Sequence, residues 1–351
     1  MNAGIIALTL SYVLSQFFRA FLAVLSEVLE RDIGANPDDL AFASGIWFLV
    51  LAACQIPIGA ALDRIGPRRT AGWLFAIGGG GGAAVFALAT SPSHITVAMA
   101  LIGMGCAPVL MASYFIFARD YAPAQFAILA SVMVGVGSLG NLVASYPMAL
   151  AADAFGWRLS LWGLGAISGF IALAILVLVR DPARLDSGES GTLSALLRIR
   201  ALWFIFPLIG VNYAFSGAVR GLWVGPYLAD VFAMNADAIG QATLWMSIAM
   251  ITGALAYGTL DKVTPSRKWM VTLGSCIVFA AGLMLTLLPA SSATLSILCI
   301  CVIGFCGAAY PVLMAHGLSF LPPQLVGRGV TMLNLFSIGG VGLAQFGSGQ
   351  I

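Results

Sequence analysis

Long apolar runs alternate with short polar breaks along the whole chain. Each run has about 20 residues, enough for a helix to cross a hydrocarbon core of ~30 Å. The runs lie near 4–30, 40–62, 71–90, 95–118, 127–150, 158–179, 201–229, 238–260, 269–289, 294–320 and 329–350. They predict eleven membrane-spanning helices. Turn chemistry marks the breaks, at Asn36-Pro37-Asp38-Asp39, Pro92-Ser93, Pro123, Pro265-Ser266 and Pro322-Pro323.

Composition agrees with a lipid solvent. Of 351 residues, 60% are hydrophobic and only 9% are charged, against about 25% charged in a soluble domain. The net charge of +2 comes with no basic run, so nucleic acid is not an expected partner. Cys54, Cys106, Cys276, Cys299, Cys301 and Cys306 all lie inside apolar runs, without metal-site spacing, and read as packing residues. No metal and no cofactor is expected. The N-terminus lacks a basic region and a cleavage site, so it reads as a retained first span.

Basic residues set the predicted orientation. With the N-terminus cytoplasmic, Arg64, Arg68, Arg69, Arg119, Arg180, Arg184, Arg198, Arg200, Lys262, Arg267, Lys268 and Arg328 fall inside. Arg31 and Arg158 fall outside. A bacterial-type inner membrane is the expected location. The longest polar stretch follows span six. The chain therefore divides into a six-helix bundle over 1–180, a cytoplasmic linker over 181–200, and a second bundle of five spans over 201–351.

The halves repeat at shifts of 198 to 203 residues. Asn36-Pro37-Asp38 returns as Asn235-Ala236-Asp237, Trp47 as Trp245, and Arg68-Arg69 as Arg267-Lys268. Gly59-Ala60-Ala61-Leu62-Asp63-Arg64 returns loosely as Gly258-Thr259-Leu260-Asp261-Lys262. Pro108-Val109-Leu110-Met111-Ala112 returns letter for letter from Pro311 to Ala315, and Ser138-Leu139-Gly140 as Ser337-Ile338-Gly339. Ordered matches of this kind indicate duplication. Duplicated helical bundles are a transporter signature, because they can rock about a central site. The register calls for a twelfth span, which is expected to be missing from this sequence.

The stretch Gly59-x-x-x-Asp63-Arg64-x-Gly66-x-Arg68-Arg69 resembles the signature loop of the major facilitator superfamily. The weaker copy at Asp261-Lys262 and the Gly156-Trp157-Arg158 run are also similar to that family. The resemblance implies an all-α integral membrane fold of two pseudo-symmetric six-helix bundles, with eleven spans present, a central cavity and alternating access. It also implies that Asp63 latches the cytoplasmic gate, with Gly59 letting a neighbouring helix approach. Arg64, Arg68 and Arg119 lie on the same side and are the cations expected to hold Asp63 against the electronegative end of span two. The alternative is a solvated loop that sets topology. Many proton-coupled exporters of the family carry an Arg in span four, whereas Met99-Ala100-Leu101-Ile102-Gly103-Met104-Gly105 has none.

Two arginines lie inside predicted spans, Arg19 in span one and Arg220 in span seven, 201 residues apart. An Arg at the bilayer centre costs about 2.5–3.5 kcal/mol even on the lenient insertion scale. Tyr12, Gln16, Arg19, Ala23, Ser26 and Glu30 share one helical face. Tyr213, Ser216, Arg220, Trp223, Tyr227 and Asp230 share another. With no carboxylate predicted at that depth, the expected occupant is an anion, which guanidinium binds in a bidentate way. The alternative is that each Arg braces its bundle. Organophosphate and other anion carriers of the superfamily resemble this chain in pairing an Arg on helix one with one on helix seven. Ser113, Tyr114, Asn141, Tyr310, His316, Asn334 and Gln345 are further candidate lining residues. His316 could take up a proton or serve in packing.

Gly135-Val136-Gly137-Ser138-Leu139-Gly140 fits a dinucleotide-loop pattern, but it lies inside an apolar run with no strand before it. Small residues there suit close helix packing. Gly78 to Gly82 can loosen span three or admit a neighbour. No catalytic set and no Walker loop is present, so no enzyme is expected. The expected function is secondary transport of a small anion by a monomer in the bilayer, by exchange or proton symport. The alternative is proton-driven efflux of hydrophobic compounds.

Overall fold

The apolar runs fold as α-helices, and the described residues contain no strand. The computed structural model describes residues 3–144, 146–183, 193–234, 236–264, 266–287 and 292–348. Arg184, Asn235, Pro265 and the side chains of Ala23, Ala236, Asp237 and Gln345 lie outside the described set.

Span one is α1 (Ala3–Ala20), a tight 3-10 stretch Phe21–Leu25, and α2 (Ser26–Ile33). Span two is α3 (Pro37–Ala53) and α4 (Gln55–Arg64), bent by 40° at Cys54. Span three is α5 (Pro67–Leu74), a π-helical stretch Phe75–Gly81, and α6 (Gly82–Ala87). Span four is the single helix α7 (Pro92–Asp120). Span five is α8 (Pro123–Gly137), α9 (Leu139–Val143) and α10 (Tyr146–Phe155), and span six is α11 (Trp157–Leu178). A short α12 (Leu193–Leu197) precedes span seven, which is α13 (Arg200–Ala218), a π-helical turn Val219–Trp223, and α14 (Val224–Phe232). Then come α15 (Ala236–Val263), α16 (Arg267–Leu287), α17 (Ala293–Cys306) with α18 (Tyr310–Leu318), and α19 (Val326–Ser348).

The expectation of eleven spans needs correction. Among the described residues, nine helices are long and apolar enough to cross a membrane, or ten if the bent α3–α4 pair is one span. Neither half of that pair is long enough alone once the bend at Cys54 divides them. Helix α19 is not among the nine, and several of its side chains from 342 onward, that of Gln345 included, lie outside the described set.

The chain forms two compact units. The first comprises Met1–Tyr121, Val136–Leu193 and Pro322–Met332. The second comprises Ala122–Gly135, Ser194–Leu321 and Leu333–Ile351. Each half of the sequence thus lends one helix start to the unit built mainly from the other half.

Small residues let the helices of the first unit approach. A Cβ on Gly140 would collide with the Val13 carbonyl oxygen, so α9 lies directly on α1. A Cβ on Gly78 would come within 2.6 Å of the Gly105 Cα, so the π-helical stretch of span three is pressed against α7. The glycine run therefore both loosens its helix and admits a neighbour. At one end of this unit Trp157 Nε1 donates to Asp32 Oδ2 at 2.9 Å. Arg158 Nη1 donates to the Ala87 and Ala89 carbonyls at 3.0 and 2.7 Å, closing the open end of α6. The second unit has its own apolar core, in which Val224, Leu228, Met246, Ile300 and Ile303 are buried.

Candidate functional site

Arg19 sits on the last turn of α1, where regular α-helix gives way to the 3-10 stretch. Beneath that stretch Phe17, Phe18, Phe21 and Phe86 pack ring against ring, with Phe21 and Phe86 5.4 Å apart. The arginine itself is half-buried, and its guanidinium carbon lies 5.1 Å from the centroid of the Phe48 ring on α3. Among the described residues it makes no hydrogen bond and no ion pair. Tyr12, two turns earlier on the same face, packs its ring on Gly137 of α8. Gln16 between them is half-buried.

Arg220 occupies the equivalent place in the second unit, inside the π-helical turn Val219–Trp223. Both arginines therefore stand where their helix departs from α geometry. Such breaks free backbone groups and recur at functional positions. One turn or two away on α13, the Tyr213 ring lies 6.5 Å from that of Tyr310 on α18. The Tyr310 hydroxyl donates to Asn334 Oδ1 of α19 at 2.8 Å. Tyr213, Tyr310 and Asn334 are thus one polar cluster joining three helices. Trp223 is exposed. Tyr227 is instead tied to the far end of α17, its hydroxyl 3.0 Å from that of Ser296.

Two other candidates take different surroundings. Tyr114 is fully buried in the first unit beside Phe117. His316 packs edge-on against Phe320 and has Arg267 and Asp261 as its charged neighbours. It therefore belongs with the loop after α15 rather than with Tyr310. Asn141 is half-buried on α9, and its Nδ2 has no partner among the described residues.

The signature loop has a defined geometry. Asp63 Oδ1 accepts from the Gly327 amide at 2.9 Å, and Oδ2 accepts from the Arg328 amide at 3.3 Å. Arg328 Nη1 also donates to Oδ2 at 2.8 Å, with both side chains under 10% exposed. One carboxylate thus caps the start of α19 and pairs its arginine, a combination that suits an anion at a helix N-terminus. Gly59 makes room, since a Cβ there would come within 3.0 Å of the Arg328 Cα and collide with Thr331 Oγ1.

The expected partners of Asp63 are therefore revised. Arg64 is exposed. Arg68 turns to Asp181, which accepts from the Arg68 amide at 2.8 Å and caps α5. That carboxyl group fills the space beside Gly66, whose φ of +102° only glycine takes without strain. Arg119 acts on Asp63 at longer range while donating to the Pro323 and Ala183 carbonyls, at 2.6 and 2.9 Å.

The second unit repeats the plan with different chemistry. Gly258 meets Ser131 and Ala127 of α8, as Gly59 meets Thr331 and Gly327. Arg267 reaches the Pro123 carbonyl at 3.4 Å, as Arg119 reaches Pro323. Asp261, however, is held inside its own loop by a two-point pair with Arg267, at 2.6 and 2.7 Å. Lys262 is exposed.

Residues 8–344 match the family model described as Major Facilitator Superfamily. The chain belongs to the major facilitator superfamily. As a member it is a multi-pass membrane protein and a secondary active transporter of a small solute by alternating access, not an enzyme. The sialic acid transporter NanX of Escherichia coli (strain K12) is 23% identical over 365 residues, which covers 95% of this chain and 83% of that protein. The structure is similar to that of the human organic anion transporter MFSD10 (TETRAN), with a TM-score of 0.73 and 17% identity over 98% of this chain and 91% of that one. It is also similar to the E. coli fucose:proton symporter FucP, with a TM-score of 0.76 and 16% identity over 99% and 92% of the two chains. These two likenesses show the superfamily fold.

Sequence reasoning missed two partners and one kinship in this superfamily member. Arg328 entered only as a positive-inside charge, although it is the cation that pairs Asp63. Asp181 entered only as part of the linker. The kinship of Pro123 with Pro323, and of Ala127 with Gly327, was present in the repeat register at a shift of 200.

Proposed function

We propose that this superfamily member carries a small anion across the inner membrane, with Arg19 as the anion contact in the first unit and Arg220 as its counterpart in the second. The observation that carries this reading is the state of Arg19. It is a permanently charged guanidinium within a helix that crosses the bilayer, and among the described residues no acceptor takes its donors. A structural brace would have its N–H groups bound to carbonyls or carboxylates. The names of two relatives, a sialic acid transporter and an organic anion transporter, support the same class of solute. Tyr12 and Gln16 accompany Arg19. Tyr213, Tyr310 and Asn334 supply neutral hydrogen-bonding groups in the second unit, the pattern suited to an anion that also carries hydroxyl or amide groups.

The loop around Asp63 is the latch of the gate, and the Asp261–Arg267 loop is its counterpart. The transporter works as a monomer with its N-terminus in the cytoplasm, coupled to a proton or to an exchanged anion.

Uptake into proteoliposomes tests the reading, using sialic acid, gluconate, glycerol 3-phosphate and nitrate as probe anions. At least one should show saturable flux, and Arg19→Ala should raise its KM or lower its flux by about tenfold to a hundredfold, the worth of a charged hydrogen bond at ~1.5–3 kcal/mol. Pumping of cationic dyes with no Arg19-dependent anion flux would reject it in favour of efflux of hydrophobic compounds.

A further inference from the structure

Nothing in the sequence singled out Phe48, yet it is the side chain against which Arg19 rests. We propose that Phe48 is a positioning residue for substrate binding: its ring fixes the Arg19 guanidinium by a cation–π contact while leaving every guanidinium N–H free for an oxyanion. This rests on Arg19 being the anion contact.

A long, flexible arginine must be held to bind well, because ordering its side chain costs up to about 2 kcal/mol. A carboxylate could hold it, but would cancel the charge and occupy its donors. Backbone carbonyls would occupy the donors while leaving the charge. An aromatic ring does neither, since it attracts the cation through its electron-rich face and accepts no conventional hydrogen bond. At 5.1 Å from guanidinium carbon to ring centroid, the contact lies within the ~6 Å range of that attraction.

Phe48 is itself fixed. Its ring meets that of Trp47 edge-to-face at 4.8 Å between centroids. Trp47 is 3% exposed, and its backbone lies so close to α7 that a Cβ on Gly103 would come within 2.6 Å of the Trp47 carbonyl oxygen. The chain of contact therefore runs from the α3–α7 packing through Trp47 to Phe48 and then to the cation. The repeat argues that the ring is particular to this place. In the register that sets Trp47 against Trp245, the residue equivalent to Phe48 is Met246. Met246 is fully buried in the apolar core of the second unit and offers no ring to a cation.

The test is a substitution series in proteoliposomes, read with whichever of the four probe anions shows Arg19-dependent flux. Phe48→Leu should raise KM about fivefold with maximal flux kept, and Phe48→Trp, the stronger cation–π partner, should keep KM at or below the wild-type value. Replacing Phe48 by 3,4,5-trifluorophenylalanine nearly preserves shape and removes the negative ring face, so it should raise KM like Phe48→Leu. This variant answers the question even if Phe48→Leu folds poorly. If the fluorinated ring and the Leu variant both keep the wild-type KM while Arg19→Ala loses flux, the brace is wrong and the anion reading stands. If Arg19→Ala leaves all anion flux intact, the anion reading fails and the brace falls with it.

Discussion

Asp63→Asn is the substitution whose consequence the structure defines most closely. The native carboxylate accepts three hydrogen bonds, from the Gly327 amide, the Arg328 amide and Arg328 Nη1. Asparagine keeps one acceptor oxygen and can still cap one amide. It leaves Arg328, whose side chain is 8% exposed, without its counter-charge. Removing one member of a buried pair costs about 3–5 kcal/mol, and the retained acceptor places this case near the lower end. In the proposed latch, the cost falls only on the latched state, because released Arg328 can be hydrated. A shift of about 3 kcal/mol changes the latched-to-released ratio roughly a hundredfold. Thr331 reports on it, being 2% exposed with its hydroxyl against Gly59. In a background without native cysteines, alkylation of Thr331→Cys by N-ethylmaleimide should speed up by roughly that factor in Asp63→Asn, until the released form predominates. A change under about threefold would refute the argument. The charge swap Asp63→Arg with Arg328→Asp separates two accounts of the latch. It restores opposite charges but gives the start of α19 no acceptor, so labelling should stay fast. Recovery of the wild-type rate would mean that the ion pair alone matters.

Other expectations follow from single contacts. Gly140→Val places atoms where the Val13 carbonyl oxygen lies, so α1 must separate from α9. A fall in thermal stability and loss of transport should appear together in detergent melting and uptake assays. Tyr310→Phe leaves Asn334 Oδ1 without its 2.8 Å donor, which should cost about 1–3 kcal/mol of stability. The same substitution should raise KM for the probe anion more than it lowers maximal flux. Asp32 accepts from Trp157 and pairs with Arg31, contacts that hold its carboxyl below the usual carboxylate range. The stability it contributes is therefore complete above the unfolded-state value and is lost as pH falls through the lowered folded-state value. Asp32→Asn should flatten the acid limb of a melting-temperature profile against pH.

Much was legible in the sequence because a membrane imposes strong local rules. A span must be apolar along about 20 residues, so nearly every helix showed itself in the hydropathy pattern. An arginine in such a run costs free energy, so Arg19 and Arg220 stood out without any structure. The repeat supplied their equivalence, and the loop from Gly59 to Arg69 identified the family. Breaks inside a span are less visible: the bend at Cys54 and the π-helical turn holding Arg220 depend on neighbouring packing, and the bend reduces the count of continuous spans. Partner choice was decided only by the tertiary structure. Asp63 had several cations near in sequence, yet it pairs with Arg328, more than 260 residues away, because α19 starts where Gly59 leaves space. Phe48 looked like any apolar residue of span two until the packing of α3 on α7 set its ring against Arg19. Hydrophobicity is a property each residue carries along the chain, whereas which charge meets which carboxylate or ring is set by directions and distances that exist only after the helices pack.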